Sequence, residues 1–326
     1  MKFVTILVTG CAGDIGSGIG RILKSARVAE RVVGCDIHSD HPGALIFDSC
    51  GVVARVDAPE YASTMERFVK QHGVDLIIPS TEPELRYLAE KGQFEVLAGV
   101  PVIMANSKAV TIGFDKLQTA EFLCSNGLPF PWTCPVESGP PPFLPCIIKD
   151  RLGAGSIGVN LVEEELIPYY INCRPGHIWQ EFLAHEDEEY TCGLYRSGNG
   201  DIRQILFRRR LKGGVTESGV VVHNGKIERL LAKVAEALEL RGSINVQLRL
   251  CDRGPVIFEI NPRFSSTVVF RHLLGFQDLI WSLQEKSGQM PTEYFAPLEG
   301  TRIYRGSKYS VRSEEHTSEL QSRSDL

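Results

Sequence analysis

Apolar runs alternate with amphipathic segments through the first hundred residues of the chain. The segments KFVTILVTG, RVVGCDIH, VDLIIPST and VPVIMA are rich in β-branched residues and predict buried strands. The segments GIGRILKSARVAE, YASTMERFVKQHG and EPELRYLAEKG lie between them and predict helices. Continuous apolar strands that alternate with helices indicate a parallel sheet covered on both faces. The pattern therefore predicts a Rossmann-like α/β domain over residues 1–106.

A different pattern follows this domain. The segment FDKLQTAEFLCSNG predicts a helix that ends at Gly127, where a left-handed residue is favoured. A proline-rich connector, LPFPWTCPVESGPPPFLP, cannot be helical. Beyond it, short strand patterns surround one helix, KIERLLAKVAEALEL, whose apolar residues fall on a single stripe. These signals predict a second, α+β domain over residues 107–311.

Two strands near the end of the readable pattern, INVQLRL and PVIFEINPRF, are joined by the short turn CDRG and are expected to pair antiparallel. Alternation places Phe258 and Ile260 on the face opposite the polar residues of their strand. The pairing brings six polar side chains to one face: Asn245, Gln247 and Arg249, and Glu259, Asn261 and Arg263.

Such a face either meets water or surrounds a charged ligand. The oxygen atoms of Gln247, Glu259 and Asn261 suit a hard cation such as Mg²⁺, and Arg263 beside them suits a phosphate. An ordinary solvated sheet face is the alternative.

A glycine-rich loop follows a buried strand in PCIIKDRLGAGSIGV. Lys149 ends the strand, and Gly153, Gly155 and Gly158 surround Ser156. Successive backbone N–H groups in such a loop cradle phosphate oxygens, and the lysine supplies a point charge. A flexible turn without a ligand has the same composition.

The segment WQEFLAHEDEEY follows a strand pattern and carries several carboxylates. Its backbone and its acidic side chains suit the edge of an adenine ring and a ribose. An acidic surface loop is the alternative.

In this order, these three segments resemble the ATP-grasp superfamily. The resemblance covers roughly residues 106–309, and its most specific part is FEINPRFS with the upstream NVQ. It is closest to the ATP-binding half of the carbamoyl-phosphate synthase large subunit and to stand-alone carboxylate–amine ligases. It implies a two-subdomain ATP-grasp fold, with a smaller lid subdomain over about 130–182 and a larger one over about 183–311, behind a Rossmann-like pre-ATP-grasp domain.

The resemblance also implies roles for individual residues. The nucleotide-binding set comprises Lys116 and Lys149 on the phosphates, Gly153, Gly155, Ser156 and Gly158 in the lid loop, Glu181, Phe182 and Leu183 beside adenine, and Glu189 on the ribose. The metal set for Mg²⁺ or Mn²⁺ comprises Gln247, Glu259 and Asn261. Arg263 and Lys149 would stabilise the transferred phosphoryl group.

The chain departs from the family pattern at two positions. Asp150 stands where relatives often have proline after the lysine. The segment between Glu181 and Glu189 is longer than in some relatives, which leaves Glu188 as an alternative ribose ligand.

A run of three arginines, Arg208 to Arg210, precedes the segment GGVTESG. A solvated basic strand is the ordinary interpretation of such a run. The resemblance implies that this region faces the reaction centre, where Arg210 would neutralise an acceptor carboxylate or an acyl-phosphate.

The glycines at the start of the chain pose a separate question. Gly10, Gly13 and Gly16 follow a strand, and Asp36 ends the next one, which together fit a dinucleotide fingerprint. An NAD(P)-dependent oxidoreductase or epimerase is therefore an alternative. The resemblance instead implies a domain that binds no dinucleotide and forms one wall of the acceptor cleft. The free N–H groups of the following helix would then hold a substrate carboxylate.

The end of the strand pattern LIIPST is a further candidate contact region. Thr81 and Glu82 lie at the carboxyl end of a parallel strand, where open α/β sheets bind ligands. Capping of the next helix by Ser80 or Thr81 is the simpler interpretation.

Composition narrows the classes of protein. The 326 residues are 43% apolar and carry a formal charge of −5. Such a mildly acidic chain disfavours a nucleic-acid coat or a binder of anionic membranes. No apolar run has membrane-spanning length, and the N-terminus lacks a signal-peptide pattern. The nine scattered cysteines are expected to be reduced thiols of a cytoplasmic protein.

The tail RSEEHTSELQS resembles the translation of a sequencing-library adapter. Residues 312–326 are therefore expected to be non-native, so that the natural sequence is interrupted near Val311.

The expected activity is that of an ATP- and Mg²⁺-dependent ligase that activates a small carboxylate as an acyl-phosphate for attack by an amine. No nucleic-acid or membrane partner is expected, and a homodimer is left open. A non-catalytic, ATP-binding partner subunit is a further alternative. A carbamoyl-phosphate synthase activity is disfavoured because the chain has one grasp unit.

Overall fold

The computed structural model describes residues 3–153, 158–306 and 310–312. Gly155 and Ser156, two members of the predicted lid loop, lie outside the described residues. The predicted non-native tail also lies outside them, except for Arg312.

The N-terminal domain alternates strands and helices. Its elements are β1 (Phe3–Thr9), α1 (Asp14–Ala26), β2 (Ala29–Asp36), β3 (Ser49–Val52), α2 (Tyr61–His72), β4 (Leu76–Ile78), α3 (Glu82–Glu90), β5 (Val96–Leu97) and β6 (Val100–Pro101). Four of the strands form a parallel sheet in the order β3-β2-β1-β4. Strand β1 is apolar on both faces because Ile6 and Val8 pack into one core cluster and Leu7 into another.

The first helix differs from its predicted range, residues 18–30. The glycine turn closes with a hydrogen bond from the N–H of Gly13 to the carbonyl of Gly10, and α1 begins at once. It ends at Ala26, where Arg27 adopts a left-handed φ of 51°. Helix α1 therefore starts beside the glycine turn, and the last predicted residues belong to β2.

Two helices, α4 (Ser107–Gly113) and α5 (Lys116–Ser125), connect the domains. The sequence predicted α5 but not α4. The Asp115 carboxylate caps α5 by accepting from the N–H groups of Leu117 and Gln118. Gly127 follows the helix with a φ of +62°, as the stop signal predicted.

The next subdomain is a small antiparallel sheet within the predicted lid range. Its elements are β7 (Thr133–Pro135), β8 (Cys146–Asp150), β9 (Asn160–Leu161), α6 (Ile167–Cys173) and β10 (His177–Glu181). The strand order is β7-β10-β8-β9. Trp179 is fully buried in its core beside Val136 and Ile148.

The larger subdomain is a seven-stranded sheet in the order β15-β14-β11-β12-β13-β16-β17. The elements are β11 (Glu189–Arg196), β12 (Ile202–Lys212), β13 (Val215–Val221), α7 (Gly225–Ala237), β14 (Gly242–Cys251), β15 (Gly254–Asn261), α8 (Val268–Leu273), α9 (Asp278–Lys286), β16 (Arg302–Tyr304) and β17 (Ser310–Arg312). Helix α7 buries Ile227 and Leu231 against one face, while Phe207, Phe270 and Trp281 pack on the other. Among the described residues, no helix is both long and apolar enough to span a bilayer.

Candidate functional site

Strands β14 and β15 bring their polar residues to one face, as the hairpin pattern predicted. They pair antiparallel, with Asn245 opposite Asn261 and Gln247 opposite Glu259. Cross-strand neighbours on one face lie within direct reach of each other. The hairpin therefore gathers amide and carboxylate oxygens at one place on the large sheet.

The prediction for Phe258 was wrong. The register shifts between Gln247 and Leu248, because Leu248 pairs with Ile257 and leaves Phe258 as an extra residue on β15. This β-bulge turns the Phe258 ring toward the same cavity as Glu259. Strict alternation had placed the ring on the opposite face.

A cavity of about 340 Å³, here called the lid cavity, lies between the lid sheet and the large sheet. The predicted nucleotide and metal residues among its lining are Lys116, Lys149, Gly153, Glu181, Phe182, Leu183, Glu189, Gln247 and Glu259. Gly158 has a φ of +74° and is not among the residues that line this cavity. The fold thus gathers residues from α5, β8, β10, β11, β14 and β15 around one space.

Lys149 points into the lid cavity from β8 and is only 5% exposed. Burial lowers its pKa to about 8, which the charge of Glu259 partly opposes and that of Lys116 reinforces. Its Nζ lies 5.9 Å from the centre of the Phe258 ring, and no described residue forms a salt bridge with it. A buried ammonium group without a close counter-ion is well suited to bind an anion.

Lys116 approaches the same cavity from the start of α5. Its Nζ donates a hydrogen bond to the carbonyl of Gly153, and the neighbouring Asp115 forms an ion pair with Arg151 at 2.6 Å. These contacts tie the glycine loop of the lid to the connecting helix. Lys116 is therefore placed beside the loop that was predicted to cover phosphates.

Glu259 and Asn261 offer the donor set of a hard-cation site. Burial raises the pKa of Glu259, but Lys116, Lys149, the hydrogen bond from Asn261 and Arg209 together hold it below its ordinary value. The Asn261 Nδ2 donates to Glu259 Oε1 at 3.0 Å, which leaves Asn261 Oδ1 available. An ionised carboxylate beside an amide oxygen fits Mg²⁺ or Mn²⁺.

Gln247, the third predicted metal ligand, is engaged elsewhere. Its Oε1 accepts a hydrogen bond of 2.7 Å from Arg209. A second lone pair of Oε1 remains, but the positive charge of Arg209 beside this oxygen opposes a cation there. The geometry therefore favours Glu259 and Asn261 over Gln247.

Of the two candidate ribose ligands, only Glu189 lines the lid cavity. Its carboxylate pairs with Arg209 at 2.7 Å and with Arg249 at 2.8 Å. Glu188 bonds instead to Tyr190 and Arg208. Glu189, and not Glu188, therefore lies at the lid cavity.

The predicted adenine-contacting segment lines the lid cavity. The Glu181 carboxylate accepts from Arg253 at 2.6 and 2.7 Å and from the backbone N–H of Trp132 at 3.2 Å. The carbonyl of Leu183 accepts from Arg249. These bonds fix the segment against the large sheet, with Phe182 between the two residues.

Arg209 lines the lid cavity, whereas Arg210, the arginine predicted to be functional, does not. Successive residues of β12 point to opposite faces, and Arg209 shares the face of Phe207. Arg209 lines the lid cavity, while Arg210 is exposed on the other face. The sequence predicted a role for Arg210, but it did not indicate which face of β12 lies toward the cavity.

A second cavity, about 270 Å³ and here called the loop cavity, lies between the glycine turn and the large sheet. It shares Arg209, Gln247 and Glu259 with the lid cavity. The N-terminal domain contributes Gly10, Gly13, Asp14, Ile15, Gly16, Ser80 and Thr81 to its lining. The two cavities therefore meet at the polar face of the hairpin.

Arg263 lines the loop cavity and not the lid cavity. Its Nε donates at 3.1 Å to Glu82 of the N-terminal domain, and its Nη2 bonds to the same oxygen. In this structure Arg263 thus joins the two domains. Glu82 thus partly neutralises the guanidinium charge that was predicted to meet the transferred phosphoryl group.

The glycine turn is braced from within the N-terminal domain. Gly16 allows a close approach, because a Cβ there would lie 2.3 Å from the Gly10 carbonyl oxygen. Asp36, the expected ribose ligand of a dinucleotide site, accepts at 3.0 Å from the N–H of Ala12. The acidic residue of the fingerprint therefore supports the turn itself, which disfavours the nicotinamide interpretation.

The expected caps of α3 do not form. Thr81 occupies the N-cap position without a side-chain capping bond, and Ser80 Oγ donates to the carbonyl of Thr9 at 2.7 Å. Both side chains line the loop cavity.

Among the described residues, Cys11, His41 and Cys50 form the one group of three that metal-ligand distances permit. His41 Nδ1 accepts at 3.0 Å from the N–H of Gly43, so a neutral ring carries its proton on Nε2. That nitrogen lies 3.8 Å from Cys11 Sγ and acts as a donor toward it. The arrangement is that of a hydrogen-bonded thiol and not of a metal site.

Comparison with known families and structures agrees with this architecture. Residues 114–267 match the ATP-grasp domain, and residues 6–103 match the PylC-like N-terminal domain. A formate-dependent phosphoribosylglycinamide formyltransferase of Bacteroides fragilis is 25% identical over 215 residues, which is 64% of this chain and 48% of that protein. A D-alanine–D-alanine ligase of Rhodococcus opacus is 24% identical over 53% of this chain and 57% of its own length. The chain thus spans about half the length of these relatives.

Solved structures show the same fold at low identity. The N5-carboxyaminoimidazole synthetase of Staphylococcus aureus complexed with ADP has a TM-score of 0.72 at 17% identity, over 94% of this chain and 83% of that one. The L-amino acid ligase of Bacillus licheniformis has a TM-score of 0.72 at 16% identity, over 93% and 80%. The predicted fold class and superfamily are confirmed. The chain thus contains an ATP-grasp domain over residues 114–267, preceded by a PylC-like N-terminal domain over residues 6–103.

Proposed function

We propose that the chain is an ADP-forming ligase that uses ATP to activate a small carboxylate and then joins the acyl group to an amine. The meeting of the two cavities at Arg209, Gln247 and Glu259 carries this proposal. The phosphate end of a nucleotide bound in the lid cavity would lie beside these three side chains, which also line the loop cavity. A phosphoryl donor and its acceptor would therefore be held side by side, which is a major source of rate enhancement in such transfers.

The lid cavity suits ATP. Lys116 and Lys149 would bind phosphate oxygens, the segment from Glu181 to Leu183 would border adenine, and Glu189 would hold the ribose. The structural neighbour complexed with ADP supports this assignment. When bound by Glu259 and Asn261, Mg²⁺ or Mn²⁺ would neutralise charge on the phosphate oxygens.

The reaction needs no side-chain nucleophile. A carboxylate oxygen attacks the γ-phosphorus, the bond to the β–γ bridging oxygen breaks, and ADP leaves. The amine nitrogen then attacks the acyl carbon, the carbon–oxygen bond to phosphate breaks, and the nitrogen releases a proton. Lys149 and Arg209 would oppose the negative charge during the first step, and the lid sheet would exclude water.

The loop cavity suits the acceptor carboxylate. The first residues of α1 line it, and Gly13, the N-cap residue, has no side chain to bond their N–H groups. Its volume of about 270 Å³ favours a small molecule. The names of the curated relatives, a formate-dependent formyltransferase and D-alanine ligases, agree with small carboxylates and amines.

The direct test is ADP formation with a panel of small carboxylates, each with and without a panel of amines. ADP release that depends on both partners would support the proposal. Tight ADP binding with no turnover on any pair would indicate a binding-only subunit instead. Enhanced fluorescence of bound nicotinamide would support the oxidoreductase alternative.

Replacing Arg209 with glutamine is expected to lower kcat/KM for ATP about tenfold. The effect is limited because Glu189 keeps its second partner, Arg249. Arg210→Gln is the matched control on the exposed face, and its kcat/KM should remain within about twofold of the wild type. The opposite order of effects would place the functional arginine at 210.

ADP binding is expected to weaken at alkaline pH. The pKa of Lys149 lies at about 8, and its charged form binds phosphate. In metal-free buffer with a chelator, the Kd of ADP should rise about tenfold from pH 7 to pH 9. Calorimetry can measure this, and Lys149→Arg, which stays charged, should remove most of the pH dependence. A wild-type Kd that is flat over this range would contradict the assignment.

A further inference from the structure

Arg271 is a fully buried arginine behind the wall of the loop cavity. It is 0% exposed, and its guanidinium group bonds to Asp278 Oδ2 at 3.1 Å and to Ser265 Oγ at 3.1 Å. It also donates to Asn245 Oδ1. Its Nε has no partner in the described structure. The bonds therefore hold the surrounding groups while leaving the arginine itself incompletely satisfied.

Asp278 is itself fixed on the other side of the arginine. Its Oδ2 accepts at 2.6 Å from Ser243 Oγ on β14, and Asp278 is 1% exposed. The Arg271 side chain packs against Gly193, where a Cβ would lie 2.9 Å from Nε. The guanidinium group therefore has one position, set by a buried carboxylate and by a glycine that leaves room for it.

Asn245 receives two hydrogen bonds at one atom. Its Oδ1 accepts from Thr191 Oγ1 at 2.9 Å and from Arg271. A guanidinium group can only donate, so this atom must be the amide oxygen and the other must be the NH₂ group. No described residue accepts from Asn245 Nδ2, although Asn245 is 1% exposed and lines the loop cavity.

We propose that Asn245 is a substrate-contacting residue of the loop cavity and that Arg271 is its positioning residue. By occupying Oδ1, Arg271 turns the Nδ2 of Asn245 toward the cavity, where it donates to an oxygen of the acceptor carboxylate. This donor faces the α1 N-terminus across the same cavity, so the carboxylate meets N–H groups from both domains. The inference rests on the proposed function for the identity of the ligand class.

The choice of a carboxylate follows from what each cavity wall offers. The Asn245 NH₂ group has no acceptor among the described residues, and a donor gains more from an anionic oxygen than from a neutral one. Arg209, on the same wall, adds a positive charge. Glu259 and Asp14 also line this cavity. Arg305 neutralises Asp14 by an ion pair, whereas the negative charge of Glu259 favours a carboxylate oxygen that sits beside Asn245.

The test uses the full chain labelled with nitrogen-15 asparagine and sodium formate as the probe. Asn245→Asp identifies the side-chain NH₂ signal of Asn245 by its disappearance. In the wild type, formate titrated to saturation should shift this signal, while sodium chloride at equal ionic strength should not. In Arg271→Lys, the shift should be lost or greatly reduced, because a single ammonium group no longer fixes the amide.

Arg196→Lys is the control, since Arg196 is a partly buried arginine of β11 that lines neither cavity, with its Nη1 bonded to the carbonyl of Leu240. It should keep the formate-dependent shift, and all variants should keep the wild-type Kd for ADP. An Asn245 signal that ignores formate in the wild type, or that responds equally in Arg271→Lys, would overturn the inference.

The kinetic counterpart separates this inference from the proposed function. With any carboxylate that supports ADP formation, Arg271→Lys should raise its KM about tenfold and leave the KM for ATP unchanged. ADP formation with unchanged KM values in Arg271→Lys would refute the inference alone. A formate-dependent shift without ADP formation on any substrate pair would refute the proposed function alone.

Discussion

Glu259→Gln is expected to reduce ADP formation by about 10²–10³-fold while the fold stays intact. The carboxylate sits where both cavities meet, and the chain holds it ionised through Lys116, Lys149, Asn261 and Arg209. Glutamine keeps the shape but removes the charge that would bind the cation. The loss should therefore appear mainly in kcat.

Steady-state ADP release with an identified substrate pair measures this effect, and a thermal unfolding curve checks the fold. Glu217→Gln is the matched control, because Glu217 pairs with Lys212 at a solvent-exposed position of the same sheet. Its turnover should be that of the wild type. Wild-type turnover in Glu259→Gln would show that the cation site lies elsewhere.

Lys149→Met is expected to weaken ADP binding about 10²-fold and at the same time to stabilise the protein. Burial lowers the pKa of Lys149 from 10.5 to about 8, a shift that corresponds to about 3 kcal/mol against the charged form. A methionine of similar length removes this penalty. The variant should therefore gain roughly 1–3 kcal/mol in the free energy of unfolding at neutral pH.

Calorimetry gives the Kd of ADP, and urea denaturation gives the free energy of unfolding. Lys233→Met, on the exposed side of α7, is the control and should change neither quantity appreciably. A Lys149→Met protein that binds ADP normally would remove this lysine from the phosphate site. A Lys149→Met protein that is less stable than the wild type would mean that the Lys149 charge is stabilised by other groups of the folded protein.

Strands β14 and β15 show which features of the site could be predicted from the sequence. Period-two alternation and a short turn were enough to predict that Gln247 and Glu259 lie on the same face of paired strands, and the structure pairs them directly. The bulge at Phe258 was not predictable, because an extra residue in one strand depends on the partner strand and on packing beneath it. The metal roles of Gln247 and Glu259, like the nucleotide and ribose roles of the other predicted site residues, stay predictions.

The positions of the arginine side chains could not be predicted from the sequence pattern. Arg208, Arg209 and Arg210 are alike in sequence, and only the helices packed on each face of β12 decide which one meets the cavity. Arg263 was expected beside the phosphate, but it reaches Glu82, which is 181 residues earlier in the chain. A contact at that separation leaves no local signal.

By itself, the sequence determined the alternation of strands and helices in the N-terminal domain, the ATP-grasp resemblance and half of the residues that line the lid cavity. These follow from local periodicity and from short motifs, in which neighbouring residues carry the information. Only the tertiary structure decided that Arg209 and not Arg210 faces the site, that Gln247 is engaged by an arginine, and that Arg271 orients Asn245. Each of these depends on side chains from distant segments that compete for the same polar atoms, and such competition exists only once the chain is packed.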